Sequence, residues 1–121
     1  MKRLLKILAG LSLCAGCSVD TPVEPVKAQG ESILLDVRTP EEFAARHLPG
    51  SLLLPLDRIE AEAGTVLPNK NAAIQVFCRS GRRSRAAKSV LERMGYTSVT
   101  DLGGIDDAAK ILHLTPINAI E

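Results

Sequence analysis

The chain has 121 residues, about one domain, and its 45% hydrophobic and 24% charged content excludes general disorder. Three aromatics (Phe43, Phe77, Tyr96) and no Trp require an aliphatic core. The formal charge is +1, but Lys2, Arg3 and Lys6 lie in residues 1–16 without an acid; the remainder holds 12 basic and 14 acidic residues, near −2, which argues against nucleic-acid binding.

The basic start is followed by a mostly apolar run, Leu4 to Leu13, too short to span a bilayer, and then by small residues. Residues 1–16 therefore read as a signal peptide. Ala15-Gly16-Cys17 is similar to the end of a bacterial lipobox, with Cys14 where an aliphatic residue is usual, and makes Cys17 the expected lipidation site and membrane tether. Ser18 in place of Asp then favours the outer membrane, and a plain secretory cut is the alternative. A redox Cys14-x-x-Cys17 pair would need to open a helix after a strand, which this segment does not do. Residues 17–30 contain two prolines and no periodicity, a tether whose segment from Val19 to Gly30 extends to about 40 Å at about 3.3 Å per residue.

The domain is expected over residues 31–113. Ser32 to Val37 reads as a buried strand. Thr39-Pro40-Glu41-Glu42 starts a helix, with a Thr cap, Pro at the first position and acids in the first turn. Pro49-Gly50 is a turn, Ser51 to Leu54 a second strand, and Asp57 the cap of a short helix to about Ala63. After the turn at 68–71, Ala72 to Phe77 is the third strand and Cys78 to Arg83 a loop. Ser84 to Met94 is helical, with Ala87, Val90, Leu91 and Met94 on one face and Gly95 at its end. Ser98 to Leu102 is a fourth strand and Gly104 to Leu112 a last helix. Residues 114–121 are left as a C-terminal tail. Strands alternating with helices predict a small single α/β domain, a short, mostly parallel sheet flanked by helices.

The chemistry is expected at Cys78-Arg79-Ser80-Gly81-Arg82-Arg83-Ser84, where a buried strand runs through a Gly-containing loop into a helix. That turn gathers N–H groups and a helix N-terminus around the sulfur, and three arginines add charge. All of these favour the thiolate, the nucleophilic form, and suit an anionic substrate. A buried Cys is more often a small hydrophobe, but three neighbouring arginines argue against that reading. With Cys17 lipidated, Cys78 is the only free thiol of the mature chain. Two histidines and one usable cysteine make no metal site.

Leu35-Asp36-Val37-Arg38-Thr39-Pro40-Glu41-Glu42-Phe43, His47-Leu48-Pro49-Gly50-Ser51, the Cys78 to Ser84 loop, Met94-Gly95-Tyr96 and Gly103-Gly104, in that order and spacing, resemble the rhodanese family over about residues 33–112. The resemblance implies a rhodanese-like fold and a cofactor-free, monomeric sulfurtransferase of the periplasm or cell envelope. Its Cys78 thiolate would take sulfur from thiosulfate or a similar small anion as a persulfide and pass it to cyanide or a thiol. It implies Arg79, Ser80, Gly81, Arg82, Arg83 and Ser84 as the substrate loop, and Asp36 and Arg38 as supporting groups. A low-turnover persulfide carrier or sulfur-sensing module is the alternative. Related phosphatases and arsenate reductases use Cys-x5-Arg, a position occupied here by Ser84, and the shorter Cys78 to Arg83 spacing fits sulfur. Arg46, where many members have Gly, and Asp106-Asp107, where many have Trp, depart from the family pattern. Glu42 reads as a first-turn acid, with pairing to Arg38 or a loop arginine as the alternative, and His47 as fixing a loop rather than acting as a base.

Overall fold

The computed structural model of the chain describes residues 32–119; the expected signal peptide, Cys17 and the tether lie outside the described residues. In chain order the elements are β1 (Ser32–Asp36), α1 (Pro40–Ala45), β2 (Arg46–His47), β3 (Leu52–Leu53), a 3-10 turn (Leu56–Arg58), α2 (Ile59–Val66), β4 (Ala73–Cys78), α3 (Arg82–Arg93), β5 (Val99–Gly104), α4 (Ile105–Leu112) and β6 (Ile117–Asn118). The main sheet has the order β3-β1-β4-β5, and all its pairings are parallel. The fold is rhodanese-like, a small single domain as expected.

Alternation along β4 explains how the sheet is covered. Ile74, Val76 and Cys78 face a core with Ile59 and Ala63 of α2 and with Ala87 and Leu91 of α3. Phe77, of opposite parity, packs with Ile105, Ala108 and Ala109 of α4 on the other face. Helices thus bury both faces, and β4 is apolar at every position but Gln75.

Several boundaries differ from expectation for local reasons. α1 starts as read, with a reciprocal cap between Thr39 and Glu42 (Glu42 N–H to Thr39 Oγ1, 3.2 Å; Thr39 N–H to Glu42 Oε1, 3.0 Å). Asp57 does not cap a helix. It lies within the 3-10 turn that Arg58 N–H closes on the Pro55 carbonyl (2.8 Å), and α2 then runs on to Val66. α3 starts at Arg82, two residues before expectation, because Gly81, with φ +102°, turns the chain and its carbonyl accepts the Arg85 N–H. It ends as read. Gly95 N–H reaches the Glu92 carbonyl and Tyr96 N–H the Leu91 carbonyl, both at 3.0 Å, a left-handed glycine cap.

The expected tail is in part an element of the domain. β6 pairs antiparallel with β2, His47 opposite Ile117 and Arg46 opposite Asn118, and Ala119 N–H donates to the Ala45 carbonyl at 2.8 Å. Two strands of two residues each carry no readable alternation, so the ribbon left no trace in the pattern of the sequence.

Candidate active site

β4 delivers Cys78 to the end of the sheet, where the side chain is 1% exposed. Arg79 and Ser80 swing outward, and Gly81 brings the chain back so that its N–H donates to Cys78 Sγ at 3.0 Å. Burial pushes the thiol up. Hydrogen bonds from Ser84, Gly81 and Ser80 outweigh that, and the thiol lies below its ordinary value. The Ser84 hydroxyl has a single proton, so a bond to the sulfur excludes its 2.6 Å bond to Asp101 Oδ1. The short Asp101 contact prevails, and the backbone donors carry the depression of the thiol.

The loop is held from behind by β5. Asp101 Oδ1 also accepts the Gly103 N–H at 2.9 Å, so this carboxylate ties α3 to the Gly103-Gly104 turn. A Cβ built on Gly104 would lie 2.5 Å from the Arg79 carbonyl oxygen, so only glycine admits the loop at this approach. Asp101 escaped the sequence reading. An acid in a strand is unusual and was the available signal.

The residues expected to bind substrate divide. Arg79, Ser80 and Arg82 are exposed at the rim. Arg83 already holds a carboxylate: its Nη1 and Nη2 donate to Glu42 Oε1 and Oε2 at 2.8 and 3.0 Å, joining α3 to α1. Glu42 is accordingly held at a pKa of about 2, first by the hydrogen bond from Arg83. It is therefore a partner of Arg83 as well as a helix-cap acid. Asp36 and Arg38 form a buried pair. Arg38 Nε reaches Asp36 Oδ1 at 2.9 Å, Nη2 reaches Oδ2 at 2.7 Å, and Nη2 also donates to the Arg46 carbonyl at 2.6 Å. The pair thereby fixes the start of β2 against the end of β1. His47 stacks on Phe43 (4.4 Å between ring centres), its Nδ1 3.1 Å from the Phe43 carbonyl, which holds the ring against α1.

An open cleft of about 470 Å3 adjoins the loop at Arg79 and Ser80 and is bounded by Arg38, Arg46, Ile105 and Asp106. A smaller one, of about 240 Å3, lies between Arg38, Leu56 and Arg83. No helix among the described residues is long and apolar enough to cross a membrane.

The rhodanese-like domain family matches residues 23–110. The chain is 40% identical over 75 residues to the thiosulfate sulfurtransferase PspE of Escherichia coli, covering 62% of this chain and 72% of that protein. It is 38% identical over 90 residues to a sulfurtransferase of Allochromatium vinosum, covering 74% and 80%. It is also similar to the putative sulfur carrier protein YrkF of Bacillus subtilis, with 36% identity over 69 residues, 57% of this chain but only 36% of that protein. Among solved structures it is similar to a rhodanese with anions from E. coli, with a TM-score of 0.66, 34% identity, and coverage of 74% of this chain and all of that one. With the thiol-bearing loop in place, the chain belongs to the rhodanese family and is a single-domain sulfurtransferase.

Proposed function

We propose that the protein moves the outer sulfur of thiosulfate to a thiophilic acceptor through a persulfide on Cys78. The observation that carries this reading is the Gly81 N–H on Cys78 Sγ at a strand-to-helix turn, with the thiol held below its ordinary value. The thiolate attacks the outer sulfur of thiosulfate. A new S–S bond forms, the S–S bond of the donor breaks, and its electron pair leaves with sulfite. The terminal sulfur then carries the negative charge, and the N–H groups of Ser80, Gly81 and Ser84 are placed to stabilise it, each well-aimed donor contributing about 3 kcal/mol. Cyanide or a thiolate attacks that sulfur, leaves as thiocyanate or a persulfide, and restores the Cys78 thiolate. Arg79 and Arg82 attract the anion, while Arg83 acts through its charge and through Glu42. The similar thiosulfate sulfurtransferase, and the similar rhodanese solved with anions, support this substrate class.

A persulfide carrier with slow turnover is the second reading, favoured by the 1% exposure of Cys78 and by similarity to a putative sulfur carrier. The test is sulfite release from thiosulfate with cyanide as acceptor, beside Cys78→Ser. Cys78-dependent turnover establishes the enzyme, a stable sulfur adduct without turnover the carrier, and neither defeats both. The domain acts as a monomer. It is exported to the periplasm or envelope and anchored through lipidated Cys17, preferentially at the outer membrane, a placement that rests on residues 1–30 alone. Loss of membrane association in Cys17→Ser would support the anchor; unchanged fractionation would dismiss it.

A further inference from the structure

The cleft beside the loop is crossed by one ion pair. Arg46 Nη2, on β2, donates to Asp106 Oδ1, in the first turn of α4, at 2.7 Å and across 60 residues of chain. Both ends are exposed, 39% for Arg46 and 73% for Asp106, so water and ions compete for each partner. The backbone of Arg46 is fixed: its carbonyl accepts Arg38 Nη2 at 2.6 Å, and β2 is paired to β6. The guanidinium itself spends one N–H on Asp106, leaving its remaining donors turned to no other carboxylate among the described residues. The other cations of the cleft differ. Arg38 is locked by buried Asp36, and Arg79, with no carboxylate within 4 Å among the described residues, is already free.

We infer that Arg46 is an anion-binding residue of the sulfur donor site and that Asp106 is its resident competitor, displaced when a small oxyanion enters the cleft. The inference rests on the sulfurtransferase reading and adds the group that sets donor affinity. The cleft meets the loop at Arg79 and Ser80, the two residues that follow Cys78, so an oxyanion bound by Arg46 and Arg79 would sit beside the loop that carries the sulfur. Asp106 thereby raises the donor concentration needed for half-saturation and disfavours weakly bound anions, without entering the chemistry.

The test is a double-mutant cycle on thiosulfate kinetics at fixed ionic strength with Asp106→Asn, Arg46→Gln and the pair combined. As a second readout, the rate of Cys78 alkylation by iodoacetate is divided by that for neutral iodoacetamide. Asp106→Asn lowers KM by about two- to fivefold with little change in kcat, the size expected for releasing an exposed ion pair. Arg46→Gln raises KM similarly, and Asp106→Asn has no effect in the Arg46→Gln background. The alkylation ratio rises in Asp106→Asn and falls in Arg46→Gln. An Asp106→Asn effect that persists undiminished without Arg46 would reduce Asp106 to a long-range charge and overturn the inference, as would no change in either readout. Should the wild-type protein turn over no thiosulfate, the sulfurtransferase mechanism fails, while the alkylation ratio still decides the role of Arg46.

Discussion

Replacing Gly104 by alanine adds one methyl group where the loop after Cys78 passes. Gly104 has φ −83° and ψ 168°, which alanine adopts freely, so backbone strain is not the issue. The issue is space: the new Cβ would lie 2.5 Å from the Arg79 carbonyl oxygen, 3.2 Å from its carbon and 3.3 Å from Ser80 Cα. An ordinary carbon–oxygen approach is about 3.3 Å, so the loop must retreat by about 0.8 Å. A shift of that size, passed on to Gly81, stretches its N–H contact with the sulfur from 3.0 Å to about 3.8 Å, near the limit for a sulfur acceptor, and weakens it. Complete loss of such a donor costs about 100-fold in kcat, so kcat falls by up to that factor, and the overpacking destabilises the domain by about 1–3 kcal/mol. Steady-state sulfite release, urea unfolding and the pH dependence of Cys78 alkylation report the three effects; kcat falls, stability falls and the alkylation midpoint moves up. Gly64→Ala is the control. Gly64 lies inside α2 with nothing within 4 Å of its added Cβ, so that variant gains about 0.4–1 kcal/mol and keeps full activity. A Gly104→Ala protein with wild-type kcat and an unmoved alkylation midpoint would refute the role given to the loop donors.

Iodoacetamide should alkylate the wild-type thiol with a midpoint below the ordinary thiol value, the rate rising with pH as thiolate forms. Ser84→Ala leaves that midpoint nearly in place, since the hydroxyl is spent on Asp101 and the backbone donors remain, and a clear rise towards the ordinary value would place the hydroxyl on the sulfur rather than on Asp101. Glu42, held at about 2 in the fold against 4.5 when free, stabilises the protein above pH 4.5 and loses that contribution as pH falls towards 2. Urea unfolding of Glu42→Gln should be about 1 kcal/mol easier than wild type at pH 6, after discounting for screening of a partly exposed pair, with the gap closing towards pH 2.5. A gap constant with pH would deny the pairing. Tyr96→Phe removes a buried hydroxyl that meets the Ala63 and Leu67 carbonyls at 3.0 and 2.6 Å. It should cost about 1–3 kcal/mol in unfolding while leaving kcat unchanged.

Much was legible in the sequence because it was local. The Thr39-Pro40-x-Glu42 cap, the apolar run ending at Cys78 and the glycine after Met94 each specify their conformation through neighbours in the chain, and all three stand in the structure. The parallel sheet followed from alternating strands and helices, whose faces must be buried on one another. What the sequence could not decide was which partner a charged side chain chooses. Arg83 is close to Cys78 in the chain yet spends its guanidinium on Glu42, 41 residues earlier. Arg46 reaches Asp106 across 60 residues, and Asp101 holds both the α3 start and the Gly103 turn. The β2–β6 ribbon, four residues in all, is likewise known only from its pairing. Local conformation is set by backbone and neighbour sterics, and so is written in the chain; ion pairs and short ribbons depend on distances between remote segments that exist only once the sheet has brought those segments together.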